Sequence, residues 1–171
     1  MMYKKIIFVL CVAALAASCL KNSSNGNSCP YQPNTINLSA AERTAIDTYI
    51  DTNNIDAVKD PSGFYYKIIT PGVGSDSMTL CSQIQISYKG QLTNDSIFDQ
   101  RDNIVYVLGS LLEGWRRGIP LVKKGGEIKL YLPPTFGYGG NDIRDSTGRI
   151  VIPANSILKF DVRLTDYTAG N

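Results

Sequence analysis

The residues best suited to form a binding site lie close together between positions 109 and 140. Trp115, the only tryptophan, stands in a short segment of helical character, and Phe136 and Tyr138 follow in a loop rich in glycine and proline. A large aromatic side chain beside small residues and a tyrosine-bearing loop can build a shallow apolar pocket. The alternative is that Trp115 only fills the core of a small domain, as large apolar side chains often do.

The composition excludes several other kinds of site. The chain contains no histidine, which removes histidine-based catalytic triads and most zinc enzyme sites. No CxxC spacing occurs, so neither a redox motif nor a zinc knuckle is indicated. The Gly72-Val73-Gly74 segment lacks the third glycine of a nucleotide-binding loop and indicates a turn. We therefore predict no metal and no cofactor.

Residues 1–18 have the features of a secretory signal peptide, with Lys4 and Lys5 before a short apolar run. The sequence LAASC at 15–19 resembles a bacterial lipobox, in which the cysteine receives lipid after cleavage. Ordinary secretion with a cut nearby is the alternative. We predict lipidation of Cys19 and a place in the cell envelope, on the periplasmic side of the outer membrane.

Loss of this segment removes the basic surplus. The full chain has 17 basic and 15 acidic side chains, and Lys4 and Lys5 account for the difference. A neutral mature chain gives no electrostatic reason to expect nucleic acid binding.

The segment before the folded part divides into two. Residues 19–38 are polar and rich in asparagine and serine, which predicts a flexible tether. Ser39 and Glu42 have the spacing of a capping box, and apolar residues at helical spacing follow. We therefore predict an N-terminal helix and a turn over residues 39–61.

Two cysteines remain after processing, because Cys11 leaves with the signal and Cys19 takes lipid. In an oxidising compartment Cys29 and Cys81 are candidates for a disulfide. Two free, inert thiols are the alternative.

Residues 62–167 consist mainly of predicted strands, which span 64–69, 83–92, 104–108, 127–132 and 157–164. Apolar residues alternate clearly in the second strand and in the last, as in a half-buried sheet. One short helix, residues 113–118, interrupts them, and its Arg116 and Arg117 are interpreted as solvated charge. An antiparallel sheet with one helix on its face is an α+β fold.

A set of short motifs occurs in one order within residues 62–167: Tyr88-Lys89-Gly90, Phe98-Asp99, Leu108-Gly109, Gly114-Trp115, Gly118, Gly125-Gly126, Pro134 with Tyr138-Gly139, and Ile152-Pro153 with Phe160-Asp161-Val162. Each fragment is weak alone, but the ordered set closely resembles the FKBP-type peptidyl-prolyl cis–trans isomerases. The lipoprotein features fit the envelope branch of that family. The resemblance implies a curved antiparallel sheet wrapped around the Trp115 helix, and isomerisation of X–Pro bonds in exported proteins.

The resemblance also implies a proline pocket. Trp115 would be its floor, and the walls would be Tyr88, Phe98, Ile104, Leu111, Leu112, Ile152 and Phe160. The Tyr138 hydroxyl and the Leu112 backbone N–H would bind substrate carbonyls, and Asp99 would order the polar rim. The expected catalytic set is therefore Tyr88, Asp99, Trp115 and Tyr138.

Expected partners are proline-containing peptides, unfolded exported proteins and macrolides of the rapamycin type, with the protein itself a monomer. Two departures from the family pattern stand out. The stretch from Phe98 to Gly109 is short, so that Arg101 is left as a candidate partner for Asp99, and Arg116-Arg117 replaces an acidic pair. A chaperone-like module that binds proline segments without turnover, and a purely structural surface lipoprotein, are the alternatives.

Overall fold

The computed structural model describes residues 29–169 of the chain. The predicted signal peptide and Cys19 lie outside these residues. Between residues 29 and 169, no helix is both long enough and apolar enough to cross a membrane.

The described part has two α-helices, α1 (Ala40–Thr52) and α2 (Glu113–Gly118). Its strands are β1 (Val58–Lys59), β2 (Tyr65–Thr70), β3 (Gln83–Leu92), β4 (Ile97–Val107), β5 (Glu127–Leu132), β6 (Ile143–Arg144), β7 (Ile150–Ile152) and β8 (Leu158–Tyr167). Short 3₁₀ turns span Leu108–Ser110, Ile119–Leu121 and Pro134–Phe136.

Six of the strands form one antiparallel sheet in the order β1-β2-β5-β8-β3-β4, while β6 and β7 pair separately. The sheet curves around α2, which confirms the predicted α+β fold. Helix α1 precedes the sheet in the chain, as predicted. Alternation determines the inner face, because every second residue of β5 and most alternate residues of β8 are buried.

Two glycines allow α2 to lie directly on the sheet. A Cβ atom on Gly114 would stand 2.4 Å from the Leu132 side chain, and one on Gly118 would stand 2.5 Å from Leu130. Any larger residue at either position would push the helix away from β5. The close approach holds Trp115, on the same helix, inside the curve of the sheet.

The N-terminal helix α1 begins with the predicted capping box between Ser39 and Glu42. Ile46 and Ile50 are buried with Tyr65 in a small apolar cluster beside β2. The carboxylate of Asp47 binds Lys59 and accepts a hydrogen bond from the Tyr65 hydroxyl. Tertiary contacts therefore stabilise a helix of only 13 residues.

Residues 29–38, called the strap below, do not continue the predicted tether. Leu38 is buried, and Ile36 packs against the main core. The structure joins Cys29 and Cys81 in a disulfide with Cα atoms 5.6 Å apart. Composition predicted a solvated segment, but Leu38, Ile36, Tyr31, whose ring lies on Gly109, and the Cys29 disulfide hold the strap against the domain.

The strand predicted at 104–108 is longer in the structure, because β4 starts at Ile97. Its residues 99–103 are polar and lay outside the predicted strands, yet Asp99, Gln100 and Arg101 pair with β3. The register shifts opposite Ser87, where Asn103 adopts a positive φ of 55°. This bulge bends β4 and keeps Asp99 and Tyr106 beside the same cavity.

Candidate active site

A cavity of about 190 Å³ opens between α2, the inner face of the sheet and the loop after β5. Nine residues line it: Tyr88, Phe98, Asp99, Tyr106, Leu111, Leu112, Trp115, Tyr138 and Phe160. All four expected catalytic residues and four further expected wall residues are therefore brought together.

The floor of the cavity, Trp115 with the rings around it, is built from aromatic rings in edge-to-face contact. The Trp115 ring centroid lies 4.8 Å from that of Tyr88 and 5.0 Å from that of Phe160. Phe98 meets Phe160 in the same way at 5.6 Å. Such pairs add to the stability gained from burial alone, so the floor is a rigid apolar surface.

Gly90 explains why these rings can meet. It lies opposite Phe160 on β8, and a Cβ there would stand within 2.8 Å of both the Phe98 and the Phe160 rings. Only glycine leaves room for the two rings to cross above β3. The Tyr88-Lys89-Gly90 motif therefore supplies a cavity residue and the space beside it.

The rim is polar, and its chief contact joins Tyr88 to Asp99. The Tyr88 hydroxyl donates to Asp99 Oδ2 at 2.5 Å. Burial, and then the hydrogen bond to this carboxylate, raise the pKa of Tyr88 well above its ordinary value. Tyr88 therefore remains a neutral donor that orients Asp99 toward the cavity.

Two further polar side chains belong to the rim. Arg101 Nη1 stands 3.6 Å from Asp99 Oδ1, which places the candidate partner at the site. Its side chain is 60% exposed, so this ion pair contributes little to stability. Burial raises the pKa of Tyr138, and the nearby Asp99 carboxylate adds to the effect, so its hydroxyl also stays protonated.

The backbone of Leu112 offers a second donor. Leu112 precedes α2 with φ −53° and ψ 145°, and its carbonyl accepts from the Trp115 and Arg116 N–H groups. Within residues 29–169 its own N–H forms no hydrogen bond. An amide donor and the Tyr138 hydroxyl thus border one apolar cavity.

Two expected wall residues lie elsewhere. Ile104 stands opposite Ile86 and packs on the core, and Ile152 is buried in that core at 3% exposure. Neither lines the cavity. Tyr106 does line the cavity, although it was not identified from the sequence. It lies two residues after Ile104 and therefore on the same face of β4, which was the available signal.

The interpretation of Arg116 and Arg117 as solvated charge was wrong. The Arg116 guanidinium lies 2.9 Å from Glu113 and also donates to the Gln32 carbonyl, and its side chain is only 10% exposed. Arg117 donates to Glu113 at 2.8 Å and to the Asn34 carbonyl at 2.6 Å. The two arginines bind strap carbonyls, which an acidic pair could not do.

The strap also supports the turn before α2. A Cβ on Gly109 would overlap the Tyr31 ring at 2.2 Å, so Tyr31 lies directly on this glycine. The Asn34 amide donates to Glu113 at 3.1 Å. Strap residues therefore contact the chain on both sides of Leu111 and Leu112.

A larger concavity, of about 470 Å³, lies on the outer face of the sheet. Its polar residues alternate with core residues along β3, β5 and β8, and they pair with one another. Asp161, for example, lies 3.3 Å from Lys89 and 3.0 Å from Lys129. Size favours this concavity, but most of its charged side chains pair with one another and Tyr88 is the one aromatic residue that lines it. The smaller cavity, with its floor of several aromatic rings, is therefore the candidate site.

Comparisons with known proteins agree with this fold. The family model described as FKBP-type peptidyl-prolyl cis-trans isomerase matches residues 75–165. A relative from Buchnera aphidicola of Schizaphis graminum, the FKBP-type isomerase FkpA, is 41% identical over 112 residues, which are 63% of this chain and 42% of that protein. FkpA of Escherichia coli K12 is 35% identical over 112 residues, covering 61% of this chain and 38% of that protein.

Solved structures give the same result. The crystal structure of FkpA from Escherichia coli superposes with a TM-score of 0.64 at 28% identity, over 77% of this chain and 62% of that one. AtFKBP13 superposes with a TM-score of 0.60 at 26% identity, over 66% of this chain and 99% of that one.

The chain spans about two fifths of the length of the curated relatives it matches. The family match itself covers more than half of this chain and includes all nine residues that line the cavity. The resemblance deduced from ordered motifs is thereby confirmed, and the chain belongs to the FKBP-type peptidyl-prolyl cis-trans isomerase family.

Proposed function

We propose that this domain catalyses the cis–trans isomerisation of X–Pro peptide bonds. The observation that carries the proposal is the cavity itself, an aromatic floor bordered by the Tyr138 hydroxyl and the Leu112 N–H. Membership of the isomerase family supports it.

The chemistry needs no more than such a cavity provides. Rotation about an X–Pro bond breaks no covalent bond, and its barrier of roughly 18–20 kcal/mol arises from amide resonance. The twisted amide has lost resonance and carries less charge on its carbonyl oxygen. An apolar cavity therefore favours the twisted form over the planar, more polar ground state.

Each cavity residue has a role in this proposal. The proline ring rests on Trp115, between Phe98 and Phe160. Tyr138 and the Leu112 N–H donate to carbonyls of the substrate backbone and so fix its geometry. Asp99, oriented by Tyr88, borders the polar side. Ile104 and Ile152 support these residues from the core.

The substrates are proline-containing segments of unfolded exported proteins. Leu111, Leu112 and Phe98 make the surroundings of the floor apolar. An apolar residue before proline, such as leucine, should therefore bind better than glutamate. Macrolides of the rapamycin type should compete for the same floor, because they too require an apolar cavity with a few hydrogen-bond donors.

The proposed place of action is the bacterial cell envelope, with the protein a lipid-anchored monomer. The signal-like first 18 residues and the LAASC sequence support export and lipidation of Cys19. The Cys29–Cys81 disulfide suits an oxidising compartment. The relatives described above from Buchnera and Escherichia are bacterial.

NMR exchange spectroscopy on an Ala-Leu-Pro-Phe peptide tests the activity. A catalyst must quicken cis–trans exchange when the protein is present in much less than stoichiometric amount. Peptide resonances that shift or broaden without faster exchange would contradict the enzyme and support a capture module, the alternative that the short stretch after Phe98 favours. Neither binding nor faster exchange would contradict both.

A further inference from the structure

The loop that carries Tyr138 has a sequence that allows its backbone many conformations. Gly137 and Gly139 flank the tyrosine, and Gly139 has a positive φ of 64° with nothing within 4 Å of a Cβ placed on it. Glycine gives the backbone more freedom than any other residue. The N–H groups of both glycines donate to the Pro134 carbonyl, each at 2.9 Å, and the Gly139 carbonyl accepts from the Asn155 N–H at 2.9 Å. Backbone hydrogen bonds therefore hold the end of the loop after Tyr138, and the turn at Thr135 before it is held separately.

Packing fixes only one side of this loop. Phe136 is fully buried and contacts Phe64 at 5.4 Å between ring centroids. On the other side, a groove of about 430 Å³ separates the loop from α1. Thr135 and Gly139 line one wall of the groove, and Ala41 and Ala45 line the other. Direct packing against α1 therefore does not hold this side of the loop.

One carboxylate bridges the groove. Glu42 Oε1 accepts from the Thr135 N–H at 2.8 Å and from its hydroxyl at 2.6 Å. Glu42 Oε2 accepts from the Ser39 N–H at 3.1 Å and from its hydroxyl at 3.0 Å. A single side chain thus joins the cap of α1 to the turn three residues before Tyr138.

The bridge is made by a charged group. Partial burial alone would raise the pKa of Glu42, but the hydrogen bonds from Thr135 and Ser39 together lower it below its ordinary value. The carboxylate is therefore ionised at neutral pH, and hydrogen bonds to an ionised acceptor are stronger than those between neutral groups.

We propose that Glu42 is a positioning residue for the isomerase site, because it ties the turn at Thr135 to α1 and thereby fixes the loop that presents the Tyr138 hydroxyl to substrate. Glu42 lies outside residues 75–165, the part that matches the family model, so this support comes from the N-terminal extension. The inference rests on the isomerase activity proposed above. It adds α1 to the parts of the chain on which that activity depends.

The test compares Glu42→Ala with Ser39→Ala in the full chain. Both changes remove half of the capping box and should weaken α1 similarly, but only Glu42→Ala breaks the bond to Thr135. We expect Glu42→Ala to lower kcat/KM about two- to tenfold, and Ser39→Ala to leave it unchanged. Thr135→Val, which loses the hydroxyl and keeps the N–H, should give a smaller loss in the same direction.

A double-mutant cycle separates positioning from general destabilisation. If Glu42 acts through Tyr138, Glu42→Ala should have little further effect on kcat/KM once Tyr138 is phenylalanine. An equal loss in both backgrounds, or no loss in either, would overturn the proposal.

Hydrogen exchange provides a readout that does not depend on activity. The Gly137 and Gly139 amides should exchange several-fold faster in Glu42→Ala than in Ser39→Ala, because only the former frees the loop. Equal exchange rates in the two variants would overturn the proposal. A further outcome is that the wild type fails to quicken peptide isomerisation while the two variants still differ in amide exchange. That result would contradict the isomerase function and would leave Glu42 as a residue that only stabilises the loop.

Discussion

The floor and the rim of the cavity are built in opposite ways. Trp115 is only 4% exposed, and ring contacts on β3 and β8 hold it. The rim depends on Tyr138, 37% exposed, and on Asp99 beside an exposed Arg101. Packing therefore fixes where a proline ring can lie, while a few individual hydrogen bonds fix how its neighbouring carbonyls are held. Substitutions in the floor should alter folding and catalysis together, and substitutions in the rim should alter catalysis alone.

Trp115→Ala should have the largest effect. Removing a buried tryptophan side chain costs about 3–5 kcal/mol of stability, because a void remains that α2 cannot close against β5. Activity should fall below detection. Urea denaturation and the peptide exchange assay measure both quantities, and Trp115→Phe, which keeps an aromatic ring, should lose less of each. An alanine variant of normal stability would contradict the description of the floor.

Asp99→Leu should come next, and it should act on the rim. The change leaves the half-buried Tyr88 hydroxyl without its acceptor, which costs about 1–3 kcal/mol. Expressed in the transition state, this corresponds to a roughly five- to 150-fold loss in kcat/KM. Asp99→Asn keeps an acceptor oxygen and is the matched control. Equal activity of the two variants would show that the Tyr88–Asp99 bond is not what the site requires.

Tyr138→Phe should have a smaller effect and leave the fold intact. Its hydroxyl supplies one hydrogen bond, worth about 0.5–1.5 kcal/mol net, so kcat/KM should fall by roughly tenfold at most. The midpoint of urea unfolding should stay where it is in the wild type. A marked loss of stability would mean that Tyr138 belongs to the core and not to the rim.

Breaking the disulfide should reverse this pattern, with a large change in stability and a small one in catalysis. Cys29 and Cys81 are 52 residues apart, and the chain-entropy model gives about 4 kcal/mol for such a loop. Replacing both with serine should lower stability by up to that amount, and mass spectrometry of unreduced digests should show the bridge in exported protein. Two alkylatable thiols in that material would contradict it.

The smallest effect should be that of pH. Tyr88 and Tyr138 both have a raised pKa, so their hydroxyls should remain protonated and kcat/KM should be constant from about pH 7 to about pH 10. A raised folded-state pKa contributes stability that is complete below the unfolded value near 10 and is lost as pH rises through the folded value. On the alkaline side, the stability that these two tyrosines contribute should therefore decline only above about pH 10. A fall in activity near pH 9 would show that a rim tyrosine ionises.

Part of the floor could be predicted from local rules, and the rest from the family resemblance. Alternation in β3 and β8 placed Tyr88 and Phe160 on apolar faces, and the resemblance implied that Trp115 lies among them. The capping box of α1 was equally local, since Ser39 and Glu42 are three residues apart.

The remaining features depend on contacts between distant parts of the chain. Arg116 and Arg117 were interpreted as solvated because the strap carbonyls to which they donate lie more than 80 positions away in sequence. The bulge at Asn103 decides which residues of β4 reach the cavity, and a strand pattern alone did not reveal it. The second contact of Glu42, with Thr135, was hidden for the same reason.

One NMR titration tests most directly whether isomerisation takes place on the Trp115 floor. The chain has a single tryptophan, so ¹⁵N-labelled protein gives one indole N–H resonance, from a group that is buried and makes no hydrogen bond within residues 29–169. The account predicts that the proline peptide shifts this resonance, and that the shift saturates at the peptide concentration at which the catalysed exchange rate saturates. Accelerated exchange with an unmoved Trp115 resonance would contradict it, because catalysis would then lie elsewhere on the molecule.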